Sequence, residues 1–158
     1  MRLLMLAALV TPFAALPAFE IQPRAGGQLT VSRAGAEPGA FAELSLGEDR
    51  NFLIRPELYF NEDGDLGWAG SILWQVPLRQ LPRHHGLYIG PRVADHHADD
   101  WGFGVDAMGM YDFALGDSGK HYLQGIVLAG FINEEKGREE SNEPNLGAGL
   151  AYAYQFGD

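Results

Sequence analysis

Two histidines and two aspartates stand close together in one acidic stretch of the chain, at His96, His97, Asp99 and Asp100. Imidazole and carboxylate groups are ligands for divalent metal ions, so this stretch is the strongest metal-binding candidate in the sequence. Adjacent histidines on an extended chain point in opposite directions, however, and the sequence identifies no residue that would orient their rings. We therefore predict a hydrated surface loop here, with no bound metal and no cofactor.

Nucleophilic catalysis has little support in the sequence. The chain has no cysteine, which excludes thiol catalysis and cysteine-ligated zinc. His121 is the only histidine within a predicted strand, and the nearest serines, Ser118 and Ser141, do not form a recognisable nucleophile and base spacing with it. His84 and His85 are interpreted as residues of a hydrated turn. We predict no catalytic residues.

The elements that must position these residues are β-strands, because apolar and polar residues alternate along most of the chain. After residue 18, about 140 residues remain, which allows about 17 for each of eight strands and its connection, enough for membrane-spanning strands of about 9 to 11 residues. The eight predicted strands are 27–34, 40–47, 51–61, 66–76, 86–94, 101–115, 120–133 and 145–156.

The connections between these strands alternate in character. With both ends of the barrel on one side, the connections on the other side are AEPG, EDGD, DHHADD and NEEKGREESNEP. Three of these four are strongly acidic, and they are predicted to be external loops. The connections on the side of the chain ends are GEDR, PLRQLPRHHG and GDSG, of which the middle one is long enough to form a compact cap.

The orientation of the two strand faces decides the fold class. One face combines small residues with a few charges, whereas the other carries large apolar side chains, so a narrow polar lumen and an apolar, lipid-facing exterior fit better than a soluble sandwich. The charges on the lumen face are predicted to form a paired network: Glu43, Arg55, Glu57, Arg92, Asp106 and Asp112. The aromatic residues near strand ends are predicted to lie at the membrane interfaces: Trp68, Trp74, Trp101, Phe113, Tyr152 and Phe156.

The composition excludes nucleic acid as a partner. The 11 basic residues are outnumbered by 21 acidic ones, and the net charge of −10 gives no electrostatic basis for binding nucleic acid.

The amino terminus, with Arg2 before an apolar run over 3–10, is predicted to be a signal peptide of residues 1–18 that is cleaved after Ala18. Residues 19–158 then form one exported barrel domain.

Two further features resemble known outer-membrane proteins of Gram-negative bacteria. Tyr152-x-Tyr154-x-Phe156 resembles the aromatic signal that such barrels present to their assembly machinery, although two residues follow Phe156 here. The runs LYFNEDGDLGWAGSILWQVPL and GLYIGPRVADHHADDWGFGVDAMGMYDF are similar to the YfaZ-like outer-membrane proteins over about a third of the chain. This resemblance implies a location and a fold but no activity.

The predicted fold is thus all-β, an antiparallel up-and-down transmembrane barrel of about eight strands in the outer membrane. The first functional hypothesis is a monomeric, non-enzymatic barrel with a filled polar lumen, whose acidic loops meet lipopolysaccharide and which serves envelope integrity or weak permeation. The second is a soluble periplasmic barrel that binds a small apolar ligand. The third is a lipid A-modifying barrel enzyme.

Overall fold

A closed barrel of eight strands is formed by the residues that the computed structural model describes, which are 21–46, 51–98, 101–136 and 139–157. This confirms the all-β, up-and-down antiparallel barrel that the alternation predicts. The predicted signal peptide lies outside the described residues. The strands are β1 (Ile21–Ser32), β2 (Gly35–Leu46), β3 (Phe52–Phe60), β4 (Leu66–Gln75), β5 (Gly86–Ala98), β6 (Trp101–Ala114), β7 (His121–Lys136) and β8 (Glu139–Gln155).

Each strand pairs with its neighbours in sequence, and β1 pairs with β8 to close the sheet. The closing register runs from Arg24 opposite Gln155 to Val31 opposite Ala148. We call the rim where β1 begins and β8 ends the terminus side, and the opposite rim the hairpin side. Among the described residues, no helix has the length and apolarity needed to cross a membrane.

Burial alternates along the strands with a period of two, as the pleat of a strand requires. In β3, for example, every second side chain is buried, and those between them are exposed. The buried members are Leu53, Arg55, Glu57 and Tyr59, and the exposed members are Phe52, Ile54, Pro56, Leu58 and Phe60. The face that carries the charges therefore lines the lumen, together with buried apolar side chains such as Leu53, and the apolar face forms the outer wall.

The segment 36–39 was predicted to be an external loop, and this is wrong, because it lies within β2. The turn is instead formed by Arg33 and Ala34, followed by Gly35 at a φ of 102°, a conformation that glycine adopts without strain. Pro38 and Gly39 have the composition of a turn, but Pro38 pairs with Leu29 on β1. Sequence composition alone therefore misplaced this turn.

The prediction of a long loop over 133–144 is also wrong. β7 and β8 continue to pair up to Lys136 opposite Glu139, five residue pairs beyond Phe131 opposite Pro144. At about 3.4 Å per residue, this hairpin extends up to about 17 Å beyond the pair formed by Phe131 and Pro144. Both of its faces carry polar residues, so the alternation that marks a strand is lost although the backbone pairing continues.

β5 extends through His96 and His97, which were predicted to lie in a loop. Its pairing with β6 shifts register between Asp95 opposite Phe103 and Ala98 opposite Trp101. Two residues of β5 thus oppose one residue of β6, which is the arrangement of a β-bulge. His96 continues the alternation of the buried residues Arg92 and Ala94, and it lies in the lumen near the hairpin side.

Candidate functional site: the charged lumen

A first group of charges lies near the terminus side of the lumen. Arg24 of β1 forms ion pairs with Asp112 of β6 at 2.5 Å and with Glu43 of β2 at 3.4 Å. Its guanidinium also lies over the ring of Tyr122, 4.1 Å from the centroid. Arg24 of β1 thereby contacts side chains of β2, β6 and β7.

A second group occupies the middle of the lumen around Arg55 of β3. Its guanidinium forms ion pairs with Glu43 and, at 3.1 Å, with Glu57. It also donates a hydrogen bond of 2.8 Å to the side-chain carbonyl of Gln124 on β7 and packs 3.6 Å above the ring of Phe41. One side chain thus connects β2, β3 and β7.

The third group is centred on Arg92 of β5. It pairs with Glu57 at 3.2 Å and with Asp106 at 3.3 Å. Asp106 also accepts a hydrogen bond of 3.0 Å from Asn145 on β8, and Glu57 accepts one of 2.9 Å from Gln28 on β1. The three arginines and their acids therefore form one connected network, since Glu43 and Glu57 are each shared by two arginines.

A buried pair of different chemistry lies closer to the hairpin side, where Glu37 contacts Nδ1 of His96. The hydroxyl of Tyr59 lies 3.5 Å from the same nitrogen and donates a hydrogen bond of 3.0 Å to the backbone carbonyl of Asp95. Asn61 donates a hydrogen bond of 3.2 Å to the carbonyl of His96. The second carboxylate oxygen of Glu37 and Nε2 of His96 have no hydrogen-bond partner among the described residues.

Two glycines make room for the side chains of Tyr59 and His96. A Cβ on Gly67 would come within 2.5 Å of the Tyr59 ring, and one on Gly104 would come within 3.2 Å of His96 Nε2. Glycine at these two lumen positions thus allows large side chains from neighbouring strands to fill the space.

All six charges that the sequence placed on the lumen face lie in the lumen, and each is at most 3% exposed. Sequence reasoning missed Arg24, Glu37 and the inward position of His96. Arg24 lies before the predicted start of the first strand at residue 27. The alternation that places Gln28 and Thr30 on one face also includes Arg24, and this signal could have identified it. With these additions, the described part of the lumen contains three arginines, one histidine and five carboxylates.

Of the four candidate metal ligands in the sequence, only His96 has a side chain within the part of the chain that the structure describes. His96 lies in the lumen against Glu37, the side chain of His97 lies outside the described residues, and so do Asp99 and Asp100. No group of three or more histidine, aspartate or glutamate side chains suited to a metal ion occurs among the described residues.

The aromatic residues predicted at the interfaces lie on the outer wall, apart from Trp101, whose side chain is outside the described residues. Their exposed fractions are 45% for Trp68, 43% for Trp74, 49% for Phe113, 44% for Tyr152 and 48% for Phe156. Trp68 lies towards the hairpin side, and the other four lie towards the terminus side.

His121 also lies on the outer wall, where Nδ1 forms a hydrogen bond of 2.6 Å with the hydroxyl of Tyr152. The Ser118 hydroxyl accepts the backbone N–H of Lys120 at 3.3 Å. Ser141 lies opposite Glu134 in the hairpin, at the other end of the barrel from His121. His121 and Ser141 are therefore not brought together.

The fold and the lumen define a class of protein: closed eight-stranded antiparallel barrels with an apolar outer wall and an interior filled by paired charges together with buried apolar side chains such as Leu73 and Met108. No protein-family model matches the chain, and no curated protein matches it. Among solved structures, the chain is similar to the crystal structure of Neisserial surface protein A (NspA), with a TM-score of 0.44 and 15% identity over 89% of this chain and 98% of that one. The resemblance to YfaZ-like proteins stays a prediction from the sequence runs quoted above.

Proposed function

We propose that this chain is an outer-membrane β-barrel protein that acts as a structural component of the envelope, with a lumen closed by its own charge network. The observation that carries the proposal is the inversion of polarity between the wall and the interior. Large apolar side chains cover the outside, whereas three arginines and five carboxylates are buried inside. A soluble barrel that binds an apolar ligand would place these two surfaces the other way round.

The dimensions of the outer wall support the membrane location. On β8 and the residue that follows it, the outward side chains run from Leu146, which is 74% exposed, to Phe156, which is 48% exposed. This distance corresponds to roughly 34 Å along the strand, and a tilt of about 45° reduces its height to roughly 24 Å. That height matches the apolar band of about 25 Å in transmembrane barrels, and a continuous apolar surface of this size would cause a soluble protein to aggregate.

The burial of the lumen charges supports a structural role over permeation. Arg24, Arg55 and Arg92 are each at most 2% exposed, and their carboxylate partners are at most 3% exposed. Such low exposure leaves little room for bulk water beside these side chains, which supports a closed lumen. A pore would require a continuous aqueous path past the same charges.

The two rims differ in charge, and this difference supports an orientation of the barrel with the hairpin side outside the cell. The described hairpin side carries many acidic residues and few basic ones, and the described terminus side has the opposite balance. The hairpin side contains Glu62, Asp63, Asp65, Glu134, Glu135, Glu139, Glu140 and Glu143 with Arg33 and Lys136, and the terminus side contains Arg79, Arg83 and Lys120 with Asp117. We place the hairpin side outside, where divalent cations would bridge its carboxylates to lipopolysaccharide phosphates.

Fractionation combined with gel mobility and conductance tests the proposal. We expect the protein in the outer-membrane fraction, soluble only with detergent, as a monomer whose unboiled and boiled forms migrate differently. We expect no channel conductance in planar bilayers and unchanged lipid A masses when the protein is expressed. Recovery from the soluble periplasm without detergent would contradict the location, and stable conductance steps would contradict the closed lumen.

A further inference from the structure

A cavity of about 390 Å³ opens at the terminus-side rim, between the ends of β3 and β4 and the connecting segment 76–85. Four polar side chains line it: Asn51, Gln75, Arg79 and His85. Leu78 and Leu81 contribute an apolar part to the lining. The cavity is therefore amphiphilic, and it lies outside the charged lumen.

This cavity adjoins the apolar outer wall. The backbone N–H of Gln75 donates a hydrogen bond of 2.9 Å to the carbonyl of Asn51, directly beyond the paired residues Phe52 and Trp74. The two rings pack edge to face with centroids 5.8 Å apart, and each side chain is 43% exposed. A molecule in the cavity would thus have its polar part at the rim and an apolar surface beside it.

The imidazole of His85 is held in a fixed orientation at the cavity. Its Nδ1 forms a hydrogen bond of 2.9 Å with the hydroxyl of Tyr111, and its ring packs edge to face on Phe113 at 4.8 Å. Because Nδ1 is occupied, the Nε2 edge of the ring is the one that a ligand would meet. His85 thus supplies a preorganised polar group to the cavity that Arg79 also lines.

The charge of the lining indicates the chemistry of the ligand. Arg79 is cationic, and none of the nine described residues that line the cavity carries a carboxylate. A guanidinium, an imidazole and two side-chain amides are groups that bind phosphate oxygens well. The position at a membrane rim adds the requirement that the ligand has apolar tails.

We propose that this cavity binds the phosphate of an anionic phospholipid, whose acyl chains lie along the wall at Phe52 and Trp74. This inference rests on the proposed membrane location and extends it, since it assigns a specific lipid site to the terminus-side rim. The ligand is a lipid of the leaflet that faces this rim. Free phosphate shares the head-group chemistry but lacks the apolar contact with the wall.

Native mass spectrometry of the folded full chain tests the site, with phosphatidylglycerol and phosphatidylcholine offered in equal amounts. We expect preferential retention of phosphatidylglycerol and a loss of about tenfold in its binding in Arg79→Gln, because one charge-assisted hydrogen-bond donor is removed. Arg83→Gln is the matched control: it removes the same charge from the same segment, but Arg83 does not line the cavity. We expect it to bind phosphatidylglycerol like the wild type.

Equal retention of the two lipids, or equal losses in the two variants, would overturn the inference in favour of unspecific attraction. Displacement of phosphatidylglycerol by an equimolar amount of inorganic phosphate would reassign the cavity to the free ion and overturn the lipid assignment. Insertion of the protein into phosphatidylcholine vesicles, measured by gel mobility, distinguishes a failure of the lipid-site inference from a failure of the proposed function. A barrel that inserts but shows no lipid preference contradicts only the lipid site, whereas a barrel that does not insert contradicts both.

Discussion

Arg55 and Glu57 stand two positions apart on β3 and form a buried ion pair, with 3.1 Å between Nε and Oε1. Residues at i and i+2 of a strand share a face, so the strand itself brings the two side chains together. Arg55 is fully buried and Glu57 is 3% exposed. Neither group has access to bulk water as an alternative partner, and each depends on the other groups of the network.

Arg55→Met tests this dependence. The substitution leaves Glu43 and Glu57 without one of their cationic partners in a closed lumen, so we expect the free energy of unfolding to fall by about 3–5 kcal/mol. Urea titration of the barrel in phosphatidylcholine vesicles, followed by tryptophan fluorescence, measures the change. Arg33→Met is the control, because Arg33 is 46% exposed and pairs with Glu143 at 3.5 Å, and a loss below about 1 kcal/mol is expected. An unchanged free energy of unfolding in the Arg55→Met variant would show that the charge network does not stabilise the barrel.

Gly67→Ala tests the packing of the lumen near the hairpin side. The added Cβ would lie 2.5 Å from Cε2 of Tyr59 and would force its ring away from the carbonyl of Asp95. We expect a loss of about 1–3 kcal/mol in the free energy of unfolding in the same urea titration. Gly70→Ala on the same strand meets no atom within 4 Å and is expected to be neutral or stabilising. Equal effects of the two substitutions would argue against a tightly filled lumen.

Val127→Arg tests whether lipid covers the outer wall. Val127 is 62% exposed and lies near mid-height of β7, so an arginine there is expected to cost about 2–4 kcal/mol in a bilayer. Leu146→Arg, at the edge of the band, is expected to cost about 0–1 kcal/mol. Urea titration in vesicles measures both. If the wall met water, the two substitutions would have the same small effect.

The orientation of the barrel is testable by cysteine labelling, because the chain has no cysteine of its own. Asp63→Cys places a thiol in the β3–β4 turn on the hairpin side, and Arg83→Cys places one on the terminus side. With a polymer-linked maleimide too large to cross the outer membrane, we expect intact cells to label only the Asp63→Cys variant. After the outer membrane is permeabilised, both variants are expected to react. Labelling of the Arg83→Cys variant alone in intact cells would reverse the orientation.

Alternation of residue types was sufficient to predict the strands whose two faces differ in polarity. β3 is the clearest example, because Arg55 and Glu57 alternate with Ile54, Pro56 and Leu58. Alternation did not identify strands whose two faces have similar polarity or whose composition is typical of a turn. The β7–β8 hairpin is polar on both sides, and AEPG in β2 has the composition of a turn, so both segments were predicted to be loops.

The partners within the lumen were beyond the reach of the sequence for a different reason. Arg24 and Asp112 are 88 positions apart, and their contact exists only because the sheet curves into a barrel. Alternation assigns a residue to a face but says nothing about which distant strand lies across the lumen. His96 and Glu37 show the same limit, since both were assigned to loops and they meet across the interior.

The pairing of β1 with β8 has a consequence for the order in which this protein is made. Until the last strand has been delivered, β1 exposes a complete row of unsatisfied backbone groups, and a bilayer offers nothing to satisfy them. Arg24 and Asp112 likewise remain hydrated until the two edges meet. Closure is thus expected to be a single late event, in which backbone pairing and the expulsion of water from the interior occur together, and a chain interrupted before β8 has no stable intermediate in the membrane.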